Sequence, residues 1–279
     1  YQSHYPEAER LAQECLLLAR DLDNRAAIAD GLGNLAMSYY FLGKFPQAHD
    51  ALVECLALCD DLGDSKSSMI ACFRLGIANG GQGNFEQAKH YAERGLQIAR
   101  RVDDSFGIAL LNYILGAIAI CQGSFSEAQR LLKQSVEIGR ATGLLTEVSF
   151  ALQELALAEY GLGHLPQARH YTVEALQKAI EAGDTISLAI NILPAALLLA
   201  EQGHIRRAAE LWGMIEGEPW LAHSAIFDIA QRGIKAAMAG LPSEEVEAAR
   251  TRGQALNLRE TAPHLLGQLQ SLGWQSGQN

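Results

Sequence analysis

The 279-residue sequence is short of basic charge, of paired cysteines and of long apolar runs, and each scarcity closes off a class of function. Its 22 Lys and Arg stand against 32 Asp and Glu, and a net charge of -10 repels phosphate backbones and anionic lipid. No basic stripe offsets that balance locally, so neither nucleic acid nor a membrane surface is an expected partner. Five cysteines (Cys15, Cys55, Cys59, Cys72, Cys121) form an odd set without a CxxC pair, a disulfide framework or a zinc spacing. A reducing cytoplasm is the expected setting. The longest apolar stretch, Ile186 to Ala200, carries Asn191 and Pro194 and falls short of the roughly 18 residues of a membrane span, so it reads as a buried helix. No initiator Met and no signal-peptide pattern opens the chain. Catalytic motifs are missing as well: there is no HExxH, no GxSxG, and no nucleophile beside a base. Gly80-Gly-Gln-Gly83 follows no strand and precedes no Gly-Lys-Ser/Thr, and it reads as a helix end rather than a phosphate loop. No catalysis, cofactor or metal is expected of this chain.

What the sequence has in quantity is apolar residues, 49% of the total, arranged in a repeat. Gly43-Lys-Phe45-Pro-Gln-Ala48 is followed by Gly83 with Phe85 and Ala88, Gly123 with Phe125 and Ala128, Gly163 with Leu165 and Ala168, and Gly203 with Ile205 and Ala208. Each glycine falls 40 residues after the last, and Tyr5-Pro-Glu-Ala8 opens the chain as a truncated copy. A large-small pair precedes each turn: Leu35-Ala36, Leu75-Gly76, Leu115-Gly116, Leu155-Ala156 and Ala195-Ala196. Gly suits a left-handed helix C-cap, the ring or aliphatic two positions on pins the next helix, and the Ala lets two backbones approach. A small slot recurs in each second helix at Cys15, Cys55, Gly95, Ser135 and Ala175, which makes Cys15 and Cys55 packing residues. Asp23-Asn24, Gly63-Asp64, Asp103-Asp104, Gly143 and Gly183-Asp184 supply the stops and N-caps between units.

These residues resemble the tetratricopeptide repeat over positions 1 to about 216. The departure is length: that repeat usually runs about 34 residues, and the closing Pro is missing here. The longer period is similar to repeats in cell-polarity scaffolds and bacterial signalling ATPases. The resemblance implies an all-α, right-handed superhelix of antiparallel helix pairs. The expected organisation is the second helix of a truncated repeat at 1–22, five helix pairs at 23–217, and a helical cap at 218–279. In the cap, helices are predicted from about Leu221 to Ala239, from Pro242 to about Leu256, and from Arg259 to Leu272. The string from Glu247 through Gly253, Leu256 and Leu258 to Glu260 resembles the ending of bacterial multidomain regulators: signal-transduction ATPases with numerous domains, and LuxR-type regulators. The start halfway through a repeat leads to the expectation that the chain was cut from something longer.

In that family the first helices line a concave surface. Its phases here are Met37, Ile77, Ala117, Leu157 and Leu197; Gly33, Phe73, Tyr113, Gln153 and Leu193; and Tyr40, Gly80, Ile120, Tyr160 and Ala200. The Asn and Lys readers the family places there are absent. The candidate ligand-binding residues are therefore Met37, Tyr40, Phe73, Ile77, Tyr113, Ile120, Gln153, Leu157 and Tyr160, in an apolar groove suited to a protein or peptide partner or an apolar small-molecule inducer. The alternative is that these rows touch the next repeat and are core. The resemblance implies a non-catalytic sensor or interaction arm that acts on a nucleotide-binding switch domain of its parent chain. A free-standing adaptor binding an amphipathic helix of a partner is the other reading.

Overall fold

The computed structural model describes residues 5–222 and 227–271, and among them every regular element is a helix. The first eleven keep a common rhythm: α1 (Tyr5–Asp21), α2 (Arg25–Phe41), α3 (Phe45–Asp61), α4 (Ser65–Gly81), α5 (Phe85–Arg101), α6 (Ser105–Cys121), α7 (Phe125–Thr142), α8 (Leu145–Gly161), α9 (Leu165–Ala182), α10 (Thr185–Glu201) and α11 (Ile205–Ile215). Each begins 20 residues after its predecessor. The turns set this rhythm. Gly83 has φ 79°, a conformation that costs glycine little, and Asp103 reaches the same region at φ 54° without being glycine. The first helices α2, α4, α6 and α10 are capped by side chains, with Asn24 accepting from the Ala27 N–H, Asp64 from Lys66 and Ser67, Asp104 from Gly107 and Asp184 from Ser187, whereas α8 follows Leu144 and has no side-chain cap. Short turns between long helices force antiparallel neighbours.

Four further elements follow: α12 (Pro219–Ala222), α13 (Asp228–Met238), α14 (Ser243–Gln254) and α15 (Leu258–Ser271). Of the helix expected from Leu221 to Ala239, the structure describes α12 at its start and α13 from Asp228 on, and residues 223–226 lie outside the described set. The last two match the expected spans closely.

The chain divides into two compact units. Unit 1 holds α1 to α6 with α12, and unit 2 holds α7 to α11 with α13 to α15. The short α12 thus groups with the first helices, on α2, rather than with the helices that follow it.

In unit 1 the small residues sit where backbones meet. A Cβ at Gly76 would lie 3.6 Å from the Ala88 carbonyl oxygen and 3.7 Å from the Ala92 Cβ, so the large-small pair of α4 faces the turn alanine of α5. A Cβ at Gly95 would lie 2.8 Å from Leu111 Cδ2 and 3.0 Å from the Cys72 Cβ, which puts the second-helix slot against the next repeat. The turn aromatic does more than pin its own helix: the ring of Phe45 lies on Gly81, where a Cβ would stand 3.1 Å from its Cε1. Around these contacts Leu52, Met69, Leu75, Leu111, Ile114 and Ile118 are fully buried, each contributing about 1.5–3 kcal/mol of burial.

Unit 2 repeats the plan with polar additions. Ser149 of α8 donates to the Ala175 carbonyl of α9 (2.9 Å) and accepts from Ser187 (2.9 Å) and Asn191 (2.8 Å) of α10, so this buried network is satisfied at its hydroxyls. Pro194 lies inside α10 without ending it. The closing helices pack on α9, α10 and α11. Arg169 of α9 donates to the carbonyls of Leu269 and Gln270, both at 2.7 Å, and so satisfies the end of α15. Helices α11 and α14 meet backbone to backbone at two glycines, since a Cβ at Gly253 would lie 1.9 Å from the Glu210 carbonyl oxygen. Arg250–Glu216 (2.8 Å) and Arg252–Glu210 (2.8 Å) flank that seam.

Candidate functional site

The rows singled out in the sequence divide by burial. Met37, Phe73, Ile77 and Tyr113 are half-buried on α2, α4 and α6 of unit 1, helices that pack successively on one another. Phe73 and Tyr113 approach with ring centroids 6.5 Å apart and planes tilted by 47°. These four present accessible apolar surface on one unit.

The other five are placed differently. Tyr40 is buried, its ring 5.4 Å from that of Phe45 and 5.5 Å from that of Phe41, and it belongs to the aromatic packing of the turn. Ile120 is fully buried in α6. Gln153 and Leu157 are buried in α8, and Gln153 finds no hydrogen-bond partner at either end of its amide. Tyr160 is half-buried, and its hydroxyl donates to Glu201 Oε1 at 2.5 Å. Burial and that carboxylate together hold the phenol well above its usual range. For Tyr40, Ile120, Gln153 and Leu157 the surroundings are core, while Tyr160 keeps accessible surface. The phases of Ile77 and Phe73 are half-open in unit 1 and buried at Leu157 and Gln153, whereas the phase of Tyr40 and Ile120 is buried at Gly80 and Ala200 as well.

Two charged residues that the rows passed over stand one position further along. Arg74 and Glu154 share a phase with Asn34, Ile114 and Pro194. Glu154 is completely buried, neither carboxylate oxygen has a partner, and desolvation pushes its carboxyl up to about 8. Arg74 is half-buried and lines a cavity of about 300 Å³ in unit 1, bounded by α2, α3 and α4. The signal was present for Arg74, a charge in the middle of a helix whose adjacent residues are apolar or small, and weaker for Glu154, which stands beside Gln153 in a helix that also carries Glu147 and Glu159.

The cavity has an apolar floor and a polar rim. Ala29, Ile70, Ala71, Cys55 and Cys59 line it together with Asp30, Asn34, Lys66, Ser67 and Arg74. Cys55 donates to the Ala29 carbonyl at 3.2 Å. Burial pushes Cys55 up, and Cys59 up to about 12, so both stay protonated thiols and behave as packing. Elsewhere, His164 Nδ1 lies 2.8 Å from Glu159 Oε2, which also accepts at its other oxygen from Gln129 (2.8 Å). Among the described residues no group of three His, Cys, Asp or Glu could hold a metal ion, and no helix is long and apolar enough to cross a membrane.

Family models of the tetratricopeptide repeat match residues 28–59 and 68–141, which span α2 with α3 and most of α4 through α7. No curated protein matches the chain. Among solved structures, a Rap protein complexed with Competence and Sporulation Factor aligns with a TM-score of 0.66 at 18% identity, over 85% of this chain and 65% of that one. The chain therefore spans just under two thirds of the Rap protein's length. BtubC (BKLC) from P. vanneervenii aligns with a TM-score of 0.57 at 18% identity, over 86% of this chain and 94% of that one. The fold is all-α and tetratricopeptide-like.

Proposed function

We propose that this chain is a non-catalytic binding module that takes up a peptide, or a segment of a partner protein, on the first-helix face of unit 1. The observation that carries this reading is the apolar row Met37, Phe73, Ile77 and Tyr113, held half-open on the stacked helices α2, α4 and α6. Contiguous apolar surface of this kind, edged by a few polar groups, is what a peptide-binding face needs. The solved Rap structure of the same fold, complexed with Competence and Sporulation Factor, supports it.

The finer form of the reading is a sensor arm. Occupancy of the face would shift a nucleotide-binding switch domain of a longer bacterial regulator, by no more than the ligand's differential affinity for the two states. The likeness of residues 247–260 to the ends of such regulators supports that form. A stand-alone adaptor holding an amphipathic helix is the second form, and an open reading frame with or without an upstream nucleotide-binding domain decides between them.

The binding claim is tested by panning a random peptide display library on the full chain and measuring fluorescein-labelled winners by anisotropy. Ile77→Glu and Phe73→Ala are expected to weaken binding about ten-fold or more at an unchanged melting temperature. Failure to recover any binder, or winners indifferent to both substitutions, would overturn it.

A further inference from the structure

Helix α1 carries an apolar stripe in water that the later repeats cover. Ala12, Leu16 and Ala19 are buried toward α2, where a Cβ at Gly31 would lie 3.4 Å from Leu16. On the other side Ala8, Leu11, Cys15 and Leu18 are all exposed, Leu11 at 47% and Leu18 at 63%. Their three- and four-residue spacing lines them up along one face of the helix. In the later repeats the same slots are shut. Ala48, Ala88, Ala128 and Ala168, which stand where Ala8 does, have no accessible surface, and Cys55, which stands where Cys15 does, is buried. A row of exposed apolar groups in slots built to be covered marks an interaction surface.

The kind of cover is written in α3, whose sequence repeats that of α1. Glu14-Cys15-Leu16, Leu18, Asp21 and Leu22 recur as Glu54-Cys55-Leu56, Leu58, Asp61 and Leu62. On α3 the covering element is α2, and three contacts hold it. Cys55 donates to the Ala29 carbonyl at 3.2 Å and its sulfur lies 3.9 Å from where a Cβ at Gly33 would stand, so the thiol takes small residues opposite. Arg25 pairs with Asp61 at 2.7 Å. The small member of the large-small pair meets the turn alanine, as Gly76 does at the Ala88 carbonyl in the next pair. On α1 the matching groups await a neighbour: Cys15 is an exposed free thiol, Ala8 is open, and Asp21 has no ion pair among the described residues. An Arg in the covering helix would meet Asp21 as Arg25 meets Asp61, whereas the net charge of -10 works against a second copy at this face.

We infer that this face of α1 is a docking surface for an α-helix of a partner protein built on the pattern of α2, in which Arg25 is followed by Ala29, Gly33 and the pair Leu35-Ala36. The partner's Arg reaches Asp21, its Ala carbonyl accepts from the Cys15 thiol, its Gly makes room for the sulfur, and its large-small pair closes over Ala8. The interface continues the helix-on-helix seam that already joins α2 to α3. It is separate from the apolar row on α2, α4 and α6 and does not depend on it.

The test titrates the full chain into an acetylated peptide of residues 24–42 that carries fluorescein at its C-terminus, read by anisotropy. Saturable binding is expected. Leu11→Glu and Leu18→Glu change exposed residues, keep the melting temperature, and should weaken binding about ten-fold or more, because each puts a charge under the docked helix. Gly33→Leu in the peptide fills the room for the Cys15 sulfur and should weaken it as well. Asp21→Lys should weaken binding about two- to five-fold, the range of an exposed ion pair, and Arg25→Glu in the peptide should restore it. In the saturated complex Cys15 should react with iodoacetamide about ten-fold more slowly or less. No binding up to the solubility of the peptide, binding indifferent to Leu11→Glu and Leu18→Glu, or an unprotected Cys15 overturns the docking surface. Indifference to Gly33→Leu, or failure of the charge exchange, overturns the α2 pattern. Light scattering that shows the chain alone dimerising, with the dimer lost in Leu18→Glu, also overturns the proposal, since a second copy then covers the face. Ile77→Glu is expected to leave this binding unchanged; its loss there would seat the peptide on the apolar row instead of on α1.

Discussion

Glu154 makes a quantitative prediction about stability and pH. Its carboxyl is completely buried in α8 with no partner for either oxygen, and desolvation raises it from 4.5 to about 8. A folded-state value above the unfolded one means that the stabilising condition is the protonated one. Below about pH 4.5 both states carry the proton. Between there and about pH 8 the unfolded chain gives it up while the folded chain keeps it, so stability falls by about 1.4 kcal/mol per pH unit from this group alone. Glu154→Gln keeps the shape and removes the titration. The variant's stability advantage over the parent should therefore be under about 1 kcal/mol at pH 5, reach about 3 kcal/mol at pH 7, and level off above about pH 8. Urea denaturation followed by far-UV circular dichroism across that range measures the difference directly. Parallel pH profiles, or a variant less stable than the parent at neutral pH, would refute the reasoning and imply a counter-charge or water at the carboxyl.

Other perturbations test the packing. Gly253→Ala drives a Cβ toward the Glu210 carbonyl oxygen, which as backbone cannot step aside, and should lower stability by about 3 kcal/mol in thermal melts while exposing the α11–α14 seam to protease. Ala88→Leu overfills the space opposite Gly76 and should cost on the order of 1–3 kcal/mol, so an unchanged melting temperature would contradict the register of α4 on α5. Iodoacetamide at about pH 8 should modify the exposed Cys15 first and leave buried Cys59 and Cys72, held near 12 and 11, untouched in the folded protein; mass mapping of early alkylation checks this.

Much of the scaffold was legible because its determinants are local. A left-handed residue such as Gly83, the ring of Phe85 and the alanine at 88 each act within a few positions of one another, and the structure puts helix ends, starts and close contacts where they fall. The site was less legible because exposure is not local. Ile77, Leu157 and Ala117 share one phase, yet only Ile77 keeps accessible surface, since what lies over a helix face is decided by elements far away in sequence. Arg74 was missed for a smaller reason: one residue is about 100° of helix, so a row drawn through Phe73 passes beside it. The course of α12 onto α2 had no periodic signal at all, because a four-residue helix is too short to show one.

The claim on which the functional account rests is that a ligand lies on the apolar face of unit 1, and methyl NMR reads this most directly. With [13C]methyl-labelled Met and Ile, a display-selected peptide should shift the signals of half-buried Met37 and Ile77 and leave that of fully buried Met69 in place. Binding that moves neither Met37 nor Ile77, while perturbing methyls elsewhere, would contradict the account.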